Sequence, residues 1–125
     1  MSPAFQAACY GKGPTVTVMK IARTDGTTPE KLVGGYAGVS WASNGGRTSS
    51  PTNFLFSLTN AFQHSMTFGS ENKAQIHRND YGPTFGGGLD FYVQNDLNGG
   101  YCNLGFSYEC QVGEHESEEC RNDFC

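Results

Sequence analysis

Five cysteines and one nearby histidine are the residues of this chain with the clearest capacity for redox or metal chemistry. Cys9 stands apart, whereas the other four lie in the last 24 residues at Cys102, Cys110, Cys120 and Cys125. Thiolate and imidazole are preferred ligands of Zn²⁺, so these four and His115 form a candidate zinc site. The intervening segments of seven, four, four and four residues contain no Cys-x2-Cys pair, which makes that signal weak. We expect free thiols on a loose tail, with disulfides and zinc as alternatives.

The same cysteines are the candidate redox residues. A reactive cysteine needs a pKa lowered by positive charge or a helix N-terminus. The C-terminal cysteines instead lie among four glutamates, whose negative charge disfavours the thiolate; these are Glu114, Glu116, Glu118 and Glu119. A redox protein using Cys9 or the C-terminal thiols is therefore an alternative. A secreted module with paired C-terminal cysteines is another, although the odd cysteine count argues against full pairing.

A glycine run ending in an acid, Gly86-Gly87-Gly88-Leu89-Asp90, is the sharpest local motif. Three glycines let a backbone approach a ligand closely, and Asp90 would place a charge beside it. A phosphate site would also need a helix N-terminus and a lysine, whereas this run leads into a predicted strand. We therefore predict a tight bend in which Asp90 accepts backbone hydrogen bonds.

Ser40 and Trp41 are two further candidates, and both lie in the segment Gly38–Ala42. The segment approaches the Gly-x-Ser-x-Gly elbow of a nucleophilic serine, but no helix is predicted after it, so we do not expect a nucleophile. Trp41, the single tryptophan, is large enough to anchor either the core or a partner pocket, and core packing is favoured. His64 and His77 have no i, i+4 partner that would bind metal, and are predicted to occupy surface or satisfied sheet positions.

Most of the chain alternates between strand-forming segments and turns rich in Gly, Asn, Ser and Pro. A short helix is predicted at Pro3–Cys9, with Ser2 as its N-cap. Strands are predicted at Thr15–Ile21, Leu32–Trp41, Asn53–Leu58, Met66–Phe68, Ala74–His77, Leu89–Val93 and Phe106–Tyr108. The apolar run in the third of these is typical of a buried strand, and we expect Phe54, Leu55, Phe56 and Leu58 in the core. The fold class is mainly β (α+β), a sandwich of two antiparallel sheets with few short flanking helices.

Length and charge limit the function further. A chain of 125 residues buries one core, so one domain is expected. The net charge of −4, with no block of Lys or Arg, disfavours nucleic acid and anionic membranes as partners. No apolar run is long enough to span a membrane, and the first 13 residues lack the pattern of a secretory signal, so we expect a cytoplasmic protein.

Four motifs in order carry a resemblance to a known family. They are GKGPTVTV (11–18), GGYAGVSWASNGG followed by FLFSL (34–58), YGPTFGGGLDFYV (81–93) and NLGFSYE (103–109). Together they resemble the TLDc domain found in the oxidation resistance proteins. Family domains usually begin further upstream and finish with another strand. Residues 1–109 are therefore expected to form an incomplete TLDc-like domain, followed by an acidic cysteine-containing tail at 110–125.

The resemblance implies a two-sheet sandwich and a link to oxidative-stress protection. Because several family members bind the vacuolar proton-pumping ATPase, the resemblance also implies binding to that enzyme, and it implies no enzymatic reaction. We therefore predict a non-catalytic interaction module that uses no cofactor and binds a protein partner, for which the vacuolar ATPase is the candidate. The candidate binding or structural motif is Trp41 with Gly86, Gly87, Gly88 and Asp90.

Overall fold

A computed structural model describes residues 3–22, 30–42, 46–78, 80–94, 96, 99–114 and 117–125. His115 and Glu116, named above, lie outside these residues. The two helices, α1 (Pro3–Cys9) and α2 (Glu118–Phe124), have seven residues each, and a 3-10 turn covers Glu71–Lys73. Nowhere in the described chain is a helix long and apolar enough to cross a membrane.

The strands form two antiparallel sheets. They are β1 (Thr15–Ile21), β2 (Lys31–Ala37), β3 (Arg47–Thr48), β4 (Phe54–Ser57), β5 (Phe62–Ser65), β6 (Gln75–Ile76), β7 (Tyr81–Phe85), β8 (Phe91–Gln94) and β9 (Gly100–Cys102). One sheet has the order β1-β2-β4-β5 and the other β3-β6-β7-β8-β9. The predicted fold class, a mainly β sandwich with few short helices, is confirmed.

The segment with the clearest strand pattern is also the one whose strand bounds were predicted most accurately. TVTVMKI has a β-branched residue at most positions, and β1 spans the predicted Thr15–Ile21. The prediction of a strand at Met66–Phe68 is wrong, because the strand of this region lies earlier. A hydrogen bond from Asn60 N to Ser57 Oγ closes the turn after β4, and β5 then begins at Phe62 and ends at Ser65. Met66 makes only an isolated bridge to Tyr108, which is also all that remains of the strand predicted at 106–108.

Side chains that point inward from both sheets form the core. Val33 and Leu55 come from the four-stranded sheet, Phe85 and Phe91 come from the other, and all four are fully buried. The expectation that Phe54, Phe56 and Leu58 lie in the core is wrong, whereas that for Leu55 is confirmed. Leu55 faces inward, whereas Phe54 and Phe56 are half-buried on the opposite face and Leu58 is 55% exposed. An antiparallel sheet can leave one face to solvent, and alternation along β4 then exposes every second residue.

The two sides of the sandwich differ. At the β5 side, the segment 107–109 pairs with residues 65–67, because Thr67 N donates to Ser107 O and Glu109 N donates to Ser65 O, both at 2.8 Å. At the other side, β1 and β9 are the edge strands of their sheets, and a cleft lies between them. One side therefore has a short backbone pairing beyond β5, and the other has a cleft.

The C-terminal segment packs against the sandwich. Ser117 caps α2 by accepting a hydrogen bond from Cys120 N, and Phe124 is fully buried against the rings of His64 and Phe91. Lys31 Nζ donates to the carbonyls of Asn122 and Asp123 at the end of the helix. The expectation of a loose tail is therefore wrong, because this end of the chain contributes a side chain to the core.

Candidate interaction surface

The glycine run forms the tight bend between β7 and β8. Gly86 has a φ of +89°, and a side chain there would collide with the carboxylate of Asp90. A Cβ would press on the Lys73 side chain at Gly87 and on the Phe106 side chain at Gly88. The run thus brings its backbone close to protein groups, which explains the three glycines without a ligand.

Asp90 is an internal acceptor for the neighbouring loop. Its Oδ2 accepts hydrogen bonds from the backbone N–H groups of four consecutive residues, at 3.2, 3.0, 2.8 and 3.0 Å from Gly105, Phe106, Ser107 and Tyr108. Its Oδ1 is buried and has no hydrogen-bond partner among the described atoms. Burial raises the pKa of Asp90 to about 6, although the four donors favour the charged form. The bend with an accepting aspartate, which the sequence predicts, is what the structure contains.

Trp41 lies in the core, with 2% of its surface exposed. Its ring packs edge-on to Phe5 and Phe85, with centroids 5.8 and 5.4 Å apart, and its Nε1 donates to Thr15 Oγ1 at 2.9 Å. The tryptophan therefore links α1 and both sheets, and it is not available to a partner. The neighbouring Ser40 accepts a hydrogen bond from Gly13 N through its Oγ.

Both described histidines are buried in the sandwich. His64 Nδ1 lies 2.7 Å from Glu109 O, and His77 bonds to Gln75 and Thr48. Burial lowers the pKa of each imidazole, which favours the neutral form. These positions match the satisfied sheet sites predicted from the sequence, except that the Nε2 of His64 has no partner among the described atoms.

The C-terminal cysteines are paired, so the expectation of free thiols there is wrong. One disulfide joins Cys102 to Cys125 and the other joins Cys110 to Cys120. The compact packing of α2 places the sulfurs together, which spacing alone does not predict. Cys9 is a free thiol, and burial raises its pKa, which disfavours the reactive thiolate. Within the described ranges, no three potential metal ligands come close enough to hold an ion.

The candidate surface that the sequence reasoning missed is the outer face of the four-stranded sheet. Residue pairing places Val16 beside Tyr36 and Tyr36 beside Phe54, and places Phe56 in the next row. Val16 and Val18 are 62% and 56% exposed. We define the outer face by its apolar members, which are Val16, Val18, Leu32, Tyr36, Phe54, Phe56 and Leu58.

Aromatic rings form the centre of the outer face. Tyr36 and Phe54 stack with centroids 5.3 Å apart, and Phe54 and Phe56 lie 6.3 Å apart. Phe56 lies over Gly34, where a Cβ would come within 2.6 Å of the ring. Because Gly34 has no side chain, the Phe56 ring can approach the β2 backbone closely.

Polar residues border these rings. Lys20, Gln63 and Ser65 are exposed at the margins, and Lys20 pairs with Glu30 at 3.4 Å. An apolar, aromatic centre without charges and a polar rim is the composition of protein interfaces. The signal for it in the sequence is the FLFSL run, because consecutive apolar residues in a strand of a one-sided sheet cannot all face the core, and some must lie on the outer face.

Comparison with known proteins places the chain in a family. The family model described as the TLDc domain matches residues 2–123, so the match includes residues 110–123, which the sequence analysis set apart as a tail. No curated protein and no solved structure matches the chain. Because the match covers nearly all of the sequence, the chain belongs to the TLDc domain family, which is linked to oxidative-stress resistance.

Proposed function

We propose that this TLDc domain is a non-catalytic interaction module that binds a protein through the outer face of its four-stranded sheet. The observation that carries the proposal is the row of Val16, Tyr36 and Phe54 with Phe56 beside it, an apolar surface that the sandwich does not use for its own core. Large exposed apolar patches with a polar rim mark binding sites in soluble proteins.

The vacuolar proton-pumping ATPase is the partner we propose, on the basis of the resemblance to family members that bind it. The net charge of −4 supports a protein partner over nucleic acid. The proposal places the domain in the cytoplasm. Disulfides there are commonly transient and redox-sensitive, which is compatible with a family linked to oxidative stress.

The non-catalytic part of the proposal is supported by the internal hydrogen bonds and disulfides that the candidate catalytic groups form. Ser40 Oγ accepts a backbone hydrogen bond, Asp90 is used by a loop, and four cysteines are paired. Sustained turnover of hydrogen peroxide by the purified domain would contradict it. Stoichiometric oxidation of Cys9 without turnover would not.

Covalent footprinting tests the proposed face. The domain is labelled with a carbene reagent in the presence and absence of purified vacuolar ATPase, and labelling is measured by peptide. We expect protection of the peptides that contain Tyr36, Phe54 and Phe56. Phe68, which is fully exposed outside this face, is the internal control and keeps its labelling. Protection elsewhere would overturn the proposed face, and an absence of binding would overturn the partner.

A further inference from the structure

We propose that the Cys102–Cys125 disulfide is a site of thiol–disulfide exchange with a small thiol of the glutathione class. The proposal goes beyond the interaction function, because it concerns the cleft between the two sheets and a covalent modification. It rests on where the disulfide lies and on how it differs from the second one.

The disulfide lies in the open cleft between the two sheets. The cleft has a volume of about 650 Å³ and is lined by β1 from Val18 onward, by β9, and by Cys102 and Cys125 themselves. This volume lies in the range of small-molecule sites, which is about 300–1,000 Å³. Gly99 and Gly100 form part of the wall, and the side chains of Gln94 and Met19 lie against them. The volume of the cleft is what gives a tripeptide thiol room to reach the disulfide.

The two disulfides differ in access. Cys102, Cys125 and Cys110 are all half-buried, whereas Cys120 is 1% exposed and belongs to the hydrophobic core. Exchange requires a thiolate to reach one sulfur and the other sulfur to leave as a thiolate. Both sulfurs of the cleft disulfide are partly exposed, whereas attack on Cys110 would release Cys120 as a thiolate inside the core, where burial disfavours the charge. The cleft disulfide is accordingly the reactive one, and Cys110–Cys120 is the structural one.

The chemistry balances with a thiol as the only co-reactant. An attacking thiolate forms a bond with one sulfur of the pair, the Cys102–Cys125 bond breaks, and the other cysteine leaves as a thiolate that takes up a proton. The product is a mixed disulfide on the domain. A second thiol then releases the first as its own disulfide, so that two thiols are oxidised and one protein disulfide is reduced.

The rest of the fold can survive this opening. Cys110–Cys120 still ties α2 to the segment before it, Phe124 remains packed on His64 and Phe91, and Lys31 still bonds the helix end. The opened form is thus a folded domain with two thiols at the cleft. It is distinct from an unfolded chain in which both disulfides are lost.

Differential alkylation tests the proposal on the oxidised full chain. The protein is exposed to graded reduced glutathione at neutral pH, trapped with an alkylating reagent, and mapped by mass spectrometry. We expect Cys102 and Cys125 to be labelled roughly tenfold faster than Cys110 and Cys120, and a glutathione adduct to appear on one of the first two. Equal rates, opening of Cys110–Cys120 first, or opening only on unfolding would overturn the proposal, as would the absence of a Cys102–Cys125 bond.

Three variants test whether exchange depends on the cleft or only on the exposure of the sulfur atoms. The pair Cys102→Ser/Cys125→Ser should form no adduct, whereas Cys110→Ser/Cys120→Ser should still form one. If the Cys110→Ser/Cys120→Ser variant does not fold, thermal unfolding shows this, and the alkylation of the wild-type protein alone then tests the proposal. Ala22→Trp adds a ring to the cleft wall and should slow exchange several-fold. Unchanged exchange in that variant would overturn the role of the cleft.

Discussion

A single carboxylate oxygen, Asp90 Oδ2, holds the backbone of four consecutive residues, 105–108, against the bend after β7. The same loop pairs with the end of β5 and the residues after it through Ser107 and Glu109. One buried acid therefore fixes the segment that makes this pairing. This role was predictable in kind, because a glycine-rich bend followed by aspartate favours backbone hydrogen bonds, but its partners fifteen to eighteen residues later were not.

Asp90 makes stability depend on pH. Its pKa is raised to about 6 in the folded domain, so the carboxyl stabilises the fold more when protonated, and this contribution is lost as the pH rises from about 4 to about 6. The expected loss is on the order of 3 kcal/mol. Asp90→Asn keeps an oxygen acceptor and should flatten this part of the curve in urea unfolding measured at several pH values.

The exposed acid Asp80 supplies the control. Arg78 lowers its pKa, so Asp80→Asn should retain the fall in stability between pH 4 and 6. If Asp90→Asn keeps the wild-type fall, the buried carboxyl is not its source.

The stability of a Trp41→Ala variant tests whether the Trp41 ring belongs to the core. Trp41→Ala removes the ring that contacts Phe5, Phe85 and His77, and core deletions of this size cost about 3–5 kcal/mol. Chemical denaturation should register this loss, while Phe68→Ala, a fully exposed position, should change stability little. A stable Trp41→Ala domain would indicate that the ring is not part of the core.

At the level of elements, β1 and β4 mark what sequence patterns can predict. TVTVMKI alternates in burial along its length, as a one-sided strand should, and its bounds were predicted correctly. FLFSL is apolar at nearly every position, so its pattern does not reveal which residues face inward. The choice is set by pairing with β2, where Gly35 meets Leu55 and Gly34 meets Phe56. That long-range register is not present in the local sequence.

The C-terminal segment was the least predictable element. Its glutamates and cysteines are typical of a solvated tail, yet α2 has a serine cap and buries Cys120 and Phe124. Cysteine connectivity cannot be deduced from spacing, and a seven-residue helix is not stable alone. Both depend on tertiary packing, which explains why the sequence analysis did not find them.

The stability of a Phe124→Ala variant tests whether the C-terminal segment contributes to the core of the domain. Phe124→Ala empties a site between His64 and Phe91, and we expect a loss of about 3–5 kcal/mol. Val112→Ala, at an exposed position of the same segment, is the matched control and should be nearly neutral. Equal unfolding midpoints for both variants would mean that α2 does not support the core.

At the scale of the whole molecule, the sandwich presents two different surfaces. Its open side holds the cleft with the Cys102–Cys125 disulfide, and its four-stranded sheet carries the aromatic outer face. The fold class and the family were predictable from the order of the motifs, because each motif maps to a strand or bend of the sandwich. The outer face was not, because it is assembled from β1, β2 and β4, which lie far apart in sequence.

The central claim, that the outer face binds the vacuolar ATPase, is tested most directly by the affinity of one variant. Val16→Glu places a charge on the face at an exposed edge position, where the fold should tolerate it. Phe68→Ser, which removes an exposed apolar side chain elsewhere, is the control, and thermal unfolding verifies that both are folded. We predict that Val16→Glu weakens binding to the purified ATPase at least roughly tenfold, about 1.4 kcal/mol, while Phe68→Ser binds like wild type. Equal binding by wild type and Val16→Glu would contradict the account.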